Sequence, residues 1–254
     1  MPRAVKLADS LYGPIAAYAD DLITRQIEDF GQHTRPEFAF ATCVLDRGEA
    51  VFDIGAHIGT FALAAGVKVG ATGKVLAIEA DEETYQHLQQ NIRRGVWIRS
   101  RREAVYPTTG DRLRLEQVEA NSGASHVVAD VKSELQSISL DHLIQAEFEP
   151  SYIKIDVEGL EYSILSASKY VHEQRPTLYL EVNSGPTLGA DKMKLSEFLL
   201  SCGYRFFVNV GPRNARFDGF KVAAIDTLDR RGLFDVLCLP RDSLMAGLMD
   251  KIAG

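Results

Sequence analysis

The chain has 254 residues, 46% hydrophobic and 25% charged, with a formal net charge of −7. That balance is globular and argues against a nucleic-acid footprint. The three scattered cysteines (Cys43, Cys202, Cys238) stand in apolar runs and suit reduced core residues better than a disulfide framework or metal site. No signal-peptide core opens the chain and no apolar run is long enough for a membrane span, so a cytoplasmic protein is expected.

Two helices are predicted before residue 49. The first covers Tyr18 to Phe30, with Ile23, Ile27 and Phe30 on one face, and stops at Gly31. The second opens on Thr34-Arg-Pro-Glu37, a capping-box pattern with proline in the first turn. It carries Phe38, Ala41 and Leu45 and ends at Gly48. Residues 1–48 are therefore expected as a helical extension, a plain cap or part of a lid, beside a single compact unit over 49–254.

The next stretch organises the chain. An apolar strand, Ala50 to Ile54, enters a turn from Gly55 to Gly59, and a helix with Phe61, Leu63, Ala64, Val67 and Val69 follows. A second strand, Val75 to Ile78, ends on Glu79. Such a strand–turn–helix–strand unit binds nucleotides outside the carboxyl ends of a parallel sheet. The glycines permit close backbone approach, and a carboxylate about twenty residues on can accept from both ribose hydroxyls. A dinucleotide turn would need Gly-x-Gly-x-x-Gly, but His57 and Thr60 hold the places of the later glycines. Asp53, two residues before Gly55, would repel a pyrophosphate and suits the cationic sulfonium of S-adenosylmethionine. An NAD-dependent oxidoreductase is disfavoured on both counts.

Beyond Glu79, Asp81 caps a helix with Tyr85, Leu88 and Ile92, followed by Arg93, Arg94 and a closing Gly95. A third strand is expected within Val96 to Tyr106, and Glu103 and Ala104 near its end would reach the adenine. Arg93, Arg94, Arg99, Arg101 and Arg102 read as a solvated basic face, with attraction of an anionic substrate as the alternative. From Pro107 to Gln136 the signal is poor, with an exposed strand at Arg112 to Leu115 and a loop at Asn121 to Ser125. Ser139 begins a helix over Leu140 to Gln145.

Tyr152-Ile-Lys-Ile-Asp-Val-Glu-Gly-Leu-Glu161 is a strand, interrupted by Lys154, that delivers Asp156 and Glu158 to its carboxyl end before a helix from Glu161 to Ala167. Thr177 to Asn183 is a further strand ending in Glu181 and Asn183. A helix around Leu195 to Cys202 and strands at Tyr204–Val208 and Phe234–Leu239 follow, the last two as an antiparallel edge pair. Leu244/Met245, Leu248/Met249 and Ile252 form a terminal helix expected to pack on the core. The fold class is α/β: a doubly wound, mostly parallel seven-stranded sheet with an antiparallel edge and an N-terminal helical cap.

Three segments resemble the FkbM family of methyltransferases: Phe52-Asp-Ile-Gly-Ala-His-Ile-Gly-Thr-Phe61, Ser139-Leu-Asp-His-Leu143 and Ile153-Lys-Ile-Asp-Val-Glu-Gly-Leu-Glu161. The resemblance continues through Leu178 to Asn183 and Val236 to Pro240, with Ser139 where threonine is common. It implies a Rossmann-like class I methyltransferase acting on hydroxyls of sugars, glycans or polyketide-like natural products. The cofactor residues expected are Asp53, Gly55, Ala56, His57, Gly59, Glu79, Ala80, Glu103, Ala104 and Asp156. Methyl transfer needs alignment and a base for the hydroxyl proton, for which Asp156, Glu158 and His57 are the candidates.

Asp156, Glu181 and Asn183 form an alternative set for a divalent cation, and ion pairs that merely shape the turn are a third reading. His126 and His142 are further candidate bases. A non-catalytic S-adenosylmethionine-binding scaffold and a small-molecule N-methyltransferase remain as alternatives. No nucleic-acid partner is expected; the oligomeric state is open, with a homodimer compatible.

Overall fold

The computed structural model describes residues 3–93, 97–116, 126–130, 132–133, 135–182, 189–230 and 232–253. The predicted Arg94–Gly95 helix end, the Asn121–Ser125 loop, the side chain of His126 and Asn183 lie outside the described residues.

The chain opens with a hairpin that the sequence reading lacks: β1 (Val5–Ser10) pairs antiparallel with β2 (Gly13–Tyr18). Val5 and Leu7 of β1 are exposed, so the strand shows no clean apolar alternation and passes for irregular chain. The first helix, α1 (Leu22–Phe30), consequently starts later than expected, where Asp21 accepts from the Ile23 N–H at 2.8 Å. Helix α2 (Arg35–Thr42) has proline in its first turn, but the capping box does not form. Thr34 takes φ 41° and caps nothing, and Glu37 turns away to the sheet.

The central unit then follows: β3 (Ala50–Ile54), α3 (Thr60–Val69), β4 (Lys74–Glu79), α4 (Glu82–Ile92) and β5 (Ile98–Arg102). A small second sheet is built from β6 (Ala104–Val105), β7 (Arg112–Glu116), β8 (His126–Ala129) and β9 (Leu135–Ile138), in the order β6-β9-β7-β8. The main sheet resumes through α5 (Leu140–Ala146), β10 (Tyr152–Ile155), α6 (Glu161–Ala167), α7 (Lys169–Gln174) and β11 (Thr177–Val182). The chain closes with α8 (Gly189–Ser201), β12 (Tyr204–Asn209), β13 (Val222–Ile225), β14 (Phe234–Pro240) and α9 (Leu244–Ala253).

Among the described residues the main sheet has eight strands, not seven, in the order β13-β12-β14-β11-β10-β3-β4-β5. The five strands from β11 to β5 are parallel; β14 inserts antiparallel between β11 and β12, and β13 adds the extra edge. The predicted antiparallel pairing of the last two long strands is present.

Because strand side chains alternate, the sheet separates two cores. One holds Phe52, Ile54, Ile153, Ile155, Leu178 and Leu180. The other holds Val51, Ala77, Tyr152, Tyr179 and Leu237 beneath α2, α3 and the hairpin, with Phe61 stacked on Tyr152 and Tyr179. Two expectations of burial do not hold. Cys43 is exposed rather than core, and α9 packs through Met245, Ala246 and Met249 while Leu244, Leu248 and Ile252 face solvent. No helix among the described residues is long and apolar enough to cross a membrane.

Candidate active site

Asp53, Ala77, Lys154 and Tyr179 belong to the second of these faces by register: Asp53 pairs with Lys154 and Ala77, and Lys154 with Tyr179. Glu79, Asp156 and Glu181 continue that alternation at the strand ends. The polar groups of four neighbouring strands therefore emerge on one side, under the N-terminal elements.

The turn after β3 is pinned to both neighbours. Gly55 has φ 74°, and a Cβ there would lie 1.9 Å from the carbonyl oxygen of Asp156. A Cβ on Gly59 (φ 91°) would meet Leu88 of α4 at 2.7 Å. The glycines thus admit neighbouring protein atoms rather than only a ligand. Gly55 and Ala56 both donate to the carbonyl of Ile78, at 3.0 and 2.9 Å. His57, at φ 51°, donates its backbone N–H to Glu79 Oε2 at 2.8 Å, and Asp81 donates to Glu79 Oε1 at 2.9 Å. A carboxylate offers about four acceptor positions; among the described residues two are thus committed. Burial pushes Glu79 up to about 7, against the two N–H donors.

Lys154 lies at the centre of the site, 6% exposed. Its Nζ donates to the Gly55 carbonyl at 2.8 Å and stands 3.2 Å from Asp53 Oδ1 and 3.4 Å from Asp156 Oδ2. Burial alone would lower its pKa, but Asp53 and Asp156 outweigh that and hold the ammonium above the ordinary lysine range. Asp53 is fully buried beneath the turn, and removing one partner of such a pair costs about 3–5 kcal/mol.

Past β10, Glu158 (φ 53°) and Gly159 (φ 104°) bend the chain into α6, whose Glu161 accepts from the N–H groups of Val157 and Gly159 at 3.2 and 3.3 Å. Ligand oxygens of Asp156, Glu158 and Glu181 lie within 4.8 Å of one another. Burial, then the charges of Asp156, Asp235 and Glu158, push Glu181 up to about 9. Asp235, opposite Glu181 on β14, is pushed by burial to about 6 although Arg213 binds it at 2.7 Å. Glu37 accepts from Asn209 Nδ2 at 2.9 Å and is pushed by burial to about 7. Burial pushes His33 and His57 down to about 3 and about 4, so both imidazoles are neutral at pH 7.

One cavity of about 400 Å³, within the size range of small-molecule sites, joins most of these groups but is not lined by Glu37 or Glu161. Of the predicted residues it is lined by Gly55, Ala56, His57, Glu79, Ala80, Glu103, Ala104, Asp156, Glu158 and Glu181. Asp53 and Gly59 support the turn from behind and do not line it. His142 is exposed and bonds Thr109. Arg99 and Arg101 pair with Glu147, and Arg102 with Glu82, as expected of a solvated face. Leu22, Ile23, His33 and Thr34 line the cavity from the N-terminal segment. Sequence reasoning missed His33, Arg213 and Asp235 as site residues. An acid inside the apolar run Phe234–Leu239 is a usable signal for Asp235, whereas His33 and Arg213 stand in loops that carry none.

A family model described as "Methyltransferase FkbM domain" matches residues 53–206. Curated proteins return no significant match. Similar solved structures include a precorrin-6y C5,15-methyltransferase from Geobacter metallireducens, 14% identical over 82% of this chain and 89% of that one, TM-score 0.45. A SAM-dependent methyltransferase from Aquifex aeolicus is 15% identical over 87% and 94%, TM-score 0.45. Aeropyrum pernix fibrillarin, solved with natively bound S-adenosyl-L-methionine, is 10% identical over 76% and 67%, TM-score 0.45. At these scores the likenesses decide neither cofactor nor substrate. The family match covers more than half of the chain and spans both the Asp53–Gly59 turn and the Asp156–Glu161 turn, and on it the chain belongs to the FkbM methyltransferase domain family.

Proposed function

We propose that the chain is an S-adenosylmethionine-dependent methyltransferase that O-methylates a hydroxyl of a sugar, glycan or natural product. One observation carries the reading. A single cavity connects Glu79, which keeps acceptor capacity for a ribose, with the Asp156–Glu158–Glu181 carboxylates, two to three strands away or roughly 10 to 14 Å. The carboxylate-rich donor set also suits a cationic ligand rather than a pyrophosphate. When bound, S-adenosylmethionine supplies an electrophilic methyl group.

The protein's own residues then have distinct tasks. Glu79 fixes the ribose and Glu103 and Ala104 border the base, while the turn Gly55–His57 lies between the two halves of the cavity. Glu181, pushed up to about 9, keeps its proton at pH 7 and is available as a hydrogen-bond donor to the acceptor. Asp156 or Glu158 accepts the hydroxyl proton as the new C–O bond forms. His57, pushed down to about 4, is a weak proton acceptor and serves to orient. We read residues 1–48 as an extension that walls the acceptor side of a domain over 49–254.

The test is methyl transfer from isotope-labelled S-adenosylmethionine into a panel of sugars and natural products that carry hydroxyl or amino groups, with and without a chelator. The expected product is an ether, with kcat about 10²-fold lower in either Asp156→Asn or Glu158→Gln. A methylated amine, or loss of activity in chelator restored by a divalent cation, contradicts the assignment.

A further inference from the structure

We propose that Lys154 is a positioning residue of the cofactor site, holding the Gly55–His57 turn against Asp156. A lysine in the interior of β10 is otherwise unexpected, because all four residues of that strand are buried and an ammonium is costly to desolvate. Its ammonium hydrogen-bonds one oxygen and lies within ion-pair distance of two more, each from a different place. These are the Asp53 side chain on β3, the Gly55 carbonyl in the turn and the Asp156 side chain beyond β10. Neutralising Asp53 would need only one of these contacts, and the shortest of them, 2.8 Å, goes to the turn.

The turn transmits this hold to the nucleoside half of the cavity. Gly55 and Ala56 donate to Ile78, and His57 donates to the carboxylate of Glu79. A turn released at the Gly55 carbonyl would shift the N–H group that orients Glu79. Gly55 has no Cβ to resist, since that space is filled by the Asp156 carbonyl. The effect on cofactor binding rests on the reading of Glu79 and the turn as a nucleoside site; the hold on the turn does not.

The experiment compares wild type, Lys154→Met and the double variant Asp53→Asn/Lys154→Met. S-adenosylhomocysteine titration, thermal melting and amide hydrogen exchange of the ligand-free proteins are read together. Lys154→Met leaves a buried anion unpaired and melts lower; the double variant removes that anion and regains melting temperature. Expected is a double variant that still binds S-adenosylhomocysteine at least tenfold more weakly than wild type. Its Gly55, Ala56 and His57 amides exchange at least tenfold faster, while those of β14 keep their wild-type rates. Recovery of affinity or of turn protection together with melting temperature overturns the proposal, leaving Lys154 as the counter-ion of Asp53. If the wild type itself binds no S-adenosylhomocysteine, the nucleoside reading fails, and the exchange rates still decide the role of Lys154.

Discussion

Gly55 and Gly110 share the left-handed backbone region, at φ 74° and 93°, but only one is sterically confined. A Cβ on Gly110 meets nothing within 4 Å, so alanine there bears only backbone strain, about 1 kcal/mol. At Gly55 it would collide with a backbone carbonyl, which cannot swing aside. The charged residues around that turn differ from ordinary surface groups in their titration. Glu181 titrates at about 9 against an ordinary 4.5, so the folded protein keeps a proton that the unfolded chain has released. Such a group contributes stability that is fully present below pH 4.5 and is lost as pH rises towards 9. Glu37, Glu79 and Glu161, each at about 7, and Asp235, at about 6, act in the same sense, but their loss is largely complete by pH 7. His33 and His57 act in the opposite sense, and only below their ordinary 6.5. Between about pH 7 and 8 the melting temperature of the ligand-free protein should therefore fall, and Glu181→Gln should flatten that fall. A wild-type slope in the variant would contradict the assignment. At this scale the sequence was half legible: acids at strand ends can be recognised one by one. Their pairing with Lys154, a hundred residues from Asp53, depends on sheet register, and local pattern carries none of that.

The elements that the sequence misses are those without periodicity. β1 is exposed on much of its length, and β13 is four residues of Val-Ala-Ala-Ile with too little contrast to alternate. Conversely, α6 is found where it is expected after the Gly159 turn, over Glu161–Ala167. The Thr34 capping box fails because tertiary partners claim Glu37: its carboxylate accepts from Asn209 across the sheet. The hairpin nevertheless braces the site from outside the cavity. Asn91 of α4 accepts from the Ala16 N–H at 2.7 Å and donates to the carbonyls of Ala16 and Ile58, each at 2.9 Å. One buried amide thus ties the hairpin to the segment between Gly55 and α3. Asn91→Ala strands these backbone groups and should cost about 3 kcal/mol in urea unfolding, with early hydrogen exchange in β2. A loss below about 1 kcal/mol would mean that the hairpin docks by apolar packing alone.

For the whole molecule, the alternation of strands and helices from residue 50 onward was enough to predict a doubly wound sheet, because the central strands β3, β4, β10 and β11 are largely apolar runs and the connections between them carry helices. The inserted position of β14 was not legible, since antiparallel neighbours are chosen by the packing of a complete sheet. The resulting order gathers Glu79, the Gly55 turn, Asp156 and Glu181 from four adjacent strands into one cavity beneath the N-terminal segment. Its nucleoside half is the central claim, and calorimetric titration with S-adenosylhomocysteine, with NAD as control, tests it most directly. Saturable binding by the wild type, weakened about tenfold or more in Glu79→Ala and absent for NAD, is the predicted result. Binding of NAD alone, or equal affinity in Glu79→Ala, would contradict it.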